Sequence, residues 1–166
     1  MQAVNVSRSY AANGLNQFTR SGDVALGYDA RGNLTMSGAS TYGYDSKNEL
    51  TMTNGFSSYY DPLGRLDQLS GDQVQFEYDG AQPTTELDSA SNTILRRYVF
   101  GPGVDEPIVW YEGSGTNDKR YLDQDERGSI TRITDATGKT LAINSYDEFG
   151  IPSPGNLGRF QYTGQA

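Results

Sequence analysis

One short phrase recurs along this chain and limits what it can fold into. Tyr28-Asp29-Ala30-Arg31-Gly32-Asn33-Leu34-Thr35 returns sixteen residues later as Tyr44-Asp45-Ser46-Lys47-Asn48-Glu49-Leu50-Thr51, and sixteen later again as Tyr60-Asp61-Pro62-Leu63-Gly64-Arg65-Leu66. Further copies begin at Tyr78-Asp79-Gly80 and Tyr146-Asp147-Glu148-Phe149-Gly150, with a weaker forerunner at Tyr10-Ala11-Ala12-Asn13-Gly14-Leu15-Asn16. A fixed period marks one supersecondary unit repeated as an array. Sixteen residues suit two short strands and two tight turns, the length of one β-hairpin. The Asp hydrogen-bonds the backbone two residues on and starts a turn, and Gly (or Asn48) three residues later supplies a positive φ. Tyr before the turn and Leu after it fit a pleated surface. The phrase therefore reads as strand end, turn and returning strand.

The rest of the chain is punctuated in the same way. Asn13-Gly14 is a strong hairpin signal between a strand that includes Val4 and Val6 and a strand ending near Phe18, while Asn54-Gly55 and Ser70-Gly71 turn the other end of the repeats. Gln73–Tyr78 alternates strictly, with Val74, Phe76 and Tyr78 on one face. Beyond it, Thr93–Phe100, Pro107–Tyr111, Arg120–Asp125, Ser129–Thr134, Thr140–Asn144 and Arg159–Thr163 read as strands. Pro152 and Pro154 make 151–158 a loop. No stretch repeats its apolar residues at helical spacing. These signs predict an all-β, antiparallel β-hairpin repeat array, with hairpin repeats over 1–80 and a looser β segment over 81–166 continuous with the same sheet.

Composition narrows the chemistry. The 166 residues include 20 Gly and only 35% hydrophobic residues, which favours short strands and turns over a thick core. Net charge is −8 and basic residues adjoin only at Arg96-Arg97 and Lys119-Arg120, so nucleic acid is not an expected partner. No apolar run approaches the ~18 residues of a membrane span. With no His and no Cys, His- or Cys-based nucleophiles and His or thiolate metal sites are excluded. Paired carboxylates would suit a glycosidase, yet most acidic residues fall where turn capping accounts for them. Asp123 and Asp125 are the weak metal candidates, as oxygen ligands for Ca²⁺, but their surroundings lack the spacing of an EF-hand loop. Trp110-Tyr111 and Ser58-Tyr59-Tyr60 offer aromatic surface for weak carbohydrate binding, against the more ordinary role of cross-strand ladder residues. Gly101-Pro102-Gly103 has the glycines of a phosphate loop but neither the Lys nor the helix start. No cofactor is expected.

Several of these segments resemble the YD repeats and associated core of bacterial RHS proteins, relatives of toxin-complex shells and teneurins. The resemblance rests on the Tyr-Asp repeats and, in order, on Tyr98-Val99-Phe100-Gly101-Pro102-Gly103-Val104-Asp105-Glu106-Pro107-Ile108, Asp125-Glu126-Arg127-Gly128-Ser129-Ile130, Thr134-Asp135-Ala136-Thr137-Gly138, the Tyr146 copy, and Phe160-Gln161-Tyr162-Thr163-Gly164-Gln165. It implies a continuous sheet, one hairpin per repeat, spiralling into a hollow shell around a C-terminal toxin that an aspartyl autoprotease releases, in a secreted or cell-surface protein. The family's protease motif lies beyond its Phe-Thr-Gly-Gln signature, and this chain stops at Ala166 before one. Asp61-Pro62-Leu63-Gly64 imitates that motif but sits at the repeat period. The expectation is a non-enzymatic shell fragment whose open edges pair with neighbouring repeats or other copies, with the toxin domain of a longer parent chain as a further partner. The alternative is a cell-surface carbohydrate-binding or adhesion module.

Overall fold

A computed structural model describes residues 9–147 and 149–165, so the strand expected around Val4 and Val6 lies outside the described residues. The chain forms two compact units, Met1–Asp72 and Gln73–Ala166. They part ahead of a hairpin that a division at 80/81 would split.

The first unit holds eight short strands: β1 (Tyr10–Ala12), β2 (Phe18–Ser21), β3 (Val24–Tyr28), β4 (Leu34–Ser37), β5 (Ser40–Tyr44), β6 (Leu50–Thr53), β7 (Phe56–Tyr60) and β8 (Leu66–Leu69). Consecutive strands pair antiparallel from β1 through β8, so this is the hairpin array the period predicts. At one end of the strands the turns contain two residues, Gly22-Asp23, Gly38-Ala39 and Asn54-Gly55, flanked by the pairs Ser21↔Val24, Ser37↔Ser40 and Thr53↔Phe56. Both Asn54 and Gly55 take positive φ, as the type I′ turn requires. At the other end lie the Asp loops, and after each a bulge opposes the preceding Tyr to the following Leu: Tyr28↔Leu34, Tyr44↔Leu50, Tyr60↔Leu66. No described residue of this unit is buried.

The second unit differs in packing. Its strands are β9 (Val74–Asp79), β10 (Gln82–Asp88), β11 (Ile94–Phe100), β12 (Pro107–Glu112), β13 (Lys119–Gln124), β14 (Ile130–Asp135) and β15 (Thr140–Ile143), again antiparallel in sequence order. One face carries Val74, Phe76, Tyr98, Trp110, Leu122, Ile130 and Ile133, all buried. Phe160 closes over it, edge-on to Tyr98 at 4.7 Å and to Phe100 at 5.5 Å between ring centres.

The segment holding Phe160 is not the last strand that its alternation suggests. Residues 157–165 form an irregular strap across the sheet face, with one turn of 3-10 helix at Tyr162–Gly164. The reason lies upstream. A strand after β15 begins with the bridge Tyr146↔Pro152 and the bond from Ser153 N to Ser145 O. Pro152 and Pro154 have no N–H to continue it. Two asparagines then replace the missing ladder. Asn144, 3% exposed, accepts from Leu157 N and donates to Leu157 O, both at 2.9 Å. Asn156 does the same to Ser145, at 3.0 and 3.1 Å. This reciprocal clasp redirects the chain over the core.

Asparagine already fills the fourth loop position at Asn16 and Asn48. Gly64→Asn is therefore expected to leave the urea midpoint near that of the parent protein. Gly64→Val, which forces a β-branched residue into the left-handed region, should cost about 1–2 kcal/mol.

Candidate functional site

The Tyr-Asp phrase is a two-part structural device. In Asp61–Arg65 the Asp61 carboxylate accepts the N–H groups of Leu63 and Arg65 at 2.8 and 2.9 Å, Asp61 N donates to Arg65 O, and Gly64 N donates to Asp61 O. The same four bonds close 29–33, 45–49, 125–129, 135–139 and 147–151, and 13–17 with Asn13 in the acidic place. The fourth residue always has positive φ, from +60° at Asn16 to +90° at Gly32. Where Asn13-Gly14 suggested a two-residue turn, the chain makes this longer loop, because the Asn13 side chain engages Leu15 and Gln17.

The tyrosine acts on the neighbouring hairpin. Tyr28 donates its hydroxyl to Phe18 O at 3.0 Å, Tyr60 to Leu50 O at 3.0 Å, and Tyr146 to Ile130 O at 2.8 Å. Each acceptor is the first residue after an earlier Asp loop at the same end. The ring thus bolts one loop entrance to another's exit. Adjacent loops also touch directly: Asn33 donates to Asn48 at 2.8 Å, and Arg31 donates to Asp45 O.

Tyr78-Asp79-Gly80 is built differently. Asp79 ends β9 opposite Gln82, and Gly80, with φ of +60°, opens a two-residue turn with Ala81. Glycine directly after the Asp makes a tight hairpin, whereas glycine three positions on makes the five-residue loop.

The other candidate residues occupy structural positions. Asp125 closes a loop, and Asp123 meets Arg132 Nε at 2.6 Å. Among the described residues no group of three carboxylate, His or Cys side chains gathers as a metal site. Trp110 is 3% exposed, with the Arg120 guanidinium over its ring, so its face offers no platform, while Tyr59 is 52% exposed. Gly103 N donates to Glu106 at 2.7 Å within the Gly101-Pro102-Gly103 loop.

One cluster escapes the sequence reading. Glu86 is 1% exposed, yet it stands on the core face of β10. Its carboxylate accepts from Tyr98 Oη at 2.6 Å, Arg96 Nη1 at 3.0 Å, and Arg159 Nε and Nη2 at 3.1 and 3.2 Å. A buried carboxylate is tolerable when paired and hydrogen-bonded in this way. Burial alone would raise the Glu86 pKa, but the Arg159 and Tyr98 bonds and the two guanidinium charges outweigh it and hold it below the ordinary value. Burial and the Glu86 charge push Tyr98 strongly upward. The carboxylate is thus ionised, fully engaged and shielded from solvent: it fastens the strap through Arg159. Its sequence signals were Arg96 and Glu86 sharing a face with Tyr98 and Phe76, but Arg159 lies 73 residues from Glu86.

Beside this cluster a cleft of about 380 Å³ is lined by Arg96, Trp110, Leu157, Gly158, Arg159 and Gln161. Among the described residues no helix is long and apolar enough to cross a membrane. No family model matches the chain, and no characterised protein matches it in sequence.

Two outcomes follow from these carboxylates. The loop aspartates Asp29, Asp45, Asp61, Asp88, Asp125 and Asp135 all have lowered pKa values, chiefly through hydrogen bonds from loop N–H groups and side chains, opposed by desolvation, which leads only at Asp125. A folded pKa below the unfolded value stabilises above that unfolded value and is lost as pH falls through the folded one. Urea stability is therefore expected to hold above pH 4.5 and to fall as pH drops through 3.8 and below. Glu86→Gln should cost about 3 kcal/mol at pH 7, because it leaves Arg159 facing a neutral group in a buried position. The difference between the two proteins should shrink as pH falls below 4.5, where the unfolded chain's glutamate takes up a proton, and vanish only once the folded Glu86, held lower, is protonated as well.

Proposed function

We propose that this chain is a length of wall from an RHS-type β-shell, a secreted or cell-surface container that encloses a toxin and helps deliver it. Its role in that reading is architectural, without catalysis of its own. The observation that carries it is the Tyr-Asp device: the acid closes its own loop while the tyrosine grips another, so the phrase is consumed in joining hairpins. Such a ribbon lengthens by repetition, each hairpin satisfying its neighbour's backbone edge, which is what a wall requires. The resemblance of the core segments supplies the enclosed toxin domain as a partner. Further hairpins, or other copies, pair along the outer strand edges.

The test is electron microscopy of the protein translated from the full reading frame that carries this chain. The expected result is a hollow β-walled particle with protease-resistant mass inside. An extended or solid particle would contradict the proposal. A glycan array probed with the chain itself is expected to show no saturable binding. Saturable binding to a defined sugar would instead establish the adhesion module.

A further inference from the structure

Of the residues that open these loops, Asn13 alone is an amide, and a glycine follows it. In the other six loops an aspartate stands in its place and accepts two loop N–H groups. Asn13 Oδ1 accepts the same pair, from Leu15 N at 2.9 Å and Gln17 N at 3.0 Å. Its Nδ2 donates to Gln17 Oε1 at 2.8 Å, and both Asn13 and Gly14 are exposed. Among the described residues Gly14 N donates to no acceptor. Apart from its chain neighbours, nothing lies within 4 Å of where a Cβ would stand on Gly14.

An asparagine followed by glycine can close on itself. Gly14 N attacks Asn13 Cγ, the new N–Cγ bond forms, and Nδ2 leaves as ammonia with the proton that Gly14 N gives up. Water then opens the cyclic succinimide at Cγ to give aspartate, or at the main-chain carbonyl carbon to give isoaspartate. Water is the only co-reactant. Negative charge builds on Oδ1 during the attack, so two N–H groups aimed at that oxygen act as an oxyanion hole. The aspartate loops show what such donors hold, which is a negatively charged oxygen. Glycine leaves the attacking nitrogen unhindered, at a place where Ala30 or Pro62 stands in sister loops.

We infer that Asn13 is a self-modification site, at which the folded loop converts its own asparagine to aspartate through a succinimide. The loop also selects the product. Aspartate at position 13 keeps its carboxylate where Leu15 and Gln17 donate, as in the sister loops. Isoaspartate threads the side-chain carbon into the main chain and displaces both donors. Aspartate loses only the bond to Gln17 Oε1, and a half-turn of the Gln17 amide presents Nε2 in its stead. Asn54-Gly55, the other such pair in the chain, lacks this arrangement. Asn54 Oδ1 accepts from a single backbone N–H, that of Thr41 on β5 at 2.9 Å, so its side chain is committed across the ladder. The conversion does not rest on the shell reading and stands or falls separately.

Incubation of the intact chain at mildly alkaline pH, followed by peptide mass spectrometry, tests it. In the folded protein, conversion at Asn13 is expected to run at least about tenfold faster than at Asn54, since losing one oxyanion donor costs an enzyme more than that. In guanidinium chloride the two rates should converge, with that at Asn13 falling below its folded value. The folded product should be chiefly aspartate and the unfolded one chiefly isoaspartate, read with an isoaspartate-specific methyltransferase. Gly14→Pro removes the attacking N–H at a place that Pro62 already fills in its own loop. It should abolish conversion and leave far-UV circular dichroism unchanged. Conversion at Asn13 no faster than at Asn54 in the folded protein, or slower there than in guanidinium chloride, overturns the inference. So does a folded product that is mostly isoaspartate, or conversion that survives Gly14→Pro.

Discussion

The aspartate carboxylate that accepts two loop N–H groups is the interaction on which this architecture rests. A hairpin loop leaves backbone donors without strand partners, and a short acidic side chain two and four residues upstream satisfies two of them at once. Asp61 does this for Leu63 and Arg65, and Asp147 does it for Phe149 and Ile151. Each loop consumes one Asp (or Asn13) and one residue able to take positive φ. The sixteen-residue period is the length of that loop, two strands and a two-residue return. At Tyr28, Tyr60 and Tyr146 the hydroxyl then helps align neighbouring loops, since its acceptor is a backbone carbonyl at a loop exit.

The two units solve the problem of burial in different ways. In the first, strands of three to five residues are held by ladders, loop contacts and tyrosine bolts, and no described residue is buried. In the second, β9 to β14 lengthen to six or seven residues and the chain supplies its own second layer. Prolines end the sheet, asparagines turn the strap, Phe160 fills the core, and Arg159 locks onto Glu86. A charge so deeply placed is acceptable because every carboxylate oxygen has donors; removing one partner strands the others.

Much of this was legible in the residues. The period, the loop role of Asp29, Asp45, Asp61 and Asp147, and strands such as Val74–Asp79 follow from spacing and alternation, both local properties. Failures arose where local pattern is ambiguous or the partner is distant. Phe160 and Tyr162 alternate with polar residues as in a strand, yet strand pairing needs a continuous edge, and Pro152 and Pro154 remove it. Tyr78-Asp79-Gly80 shares letters with the repeat but places glycine one residue after Asp, which dictates a tight turn. Glu86 could not be paired with Arg159 from sequence, since the partner lies 73 positions away and nothing between them signals the strap's path.

Amide hydrogen exchange, resolved by nuclear magnetic resonance, tests the central claim most directly. In all seven Asp or Asn13 loops the third and fifth residues, such as Arg31 and Asn33 or Leu63 and Arg65, donate to the side chain that opens the loop. The account predicts that these loop amides exchange markedly slower than in an unstructured chain, and that those of Leu63 and Arg65 alone accelerate in Asp61→Ala. Exchange at the rate of a free peptide in the unaltered protein would contradict it, because the acid would then be capping nothing.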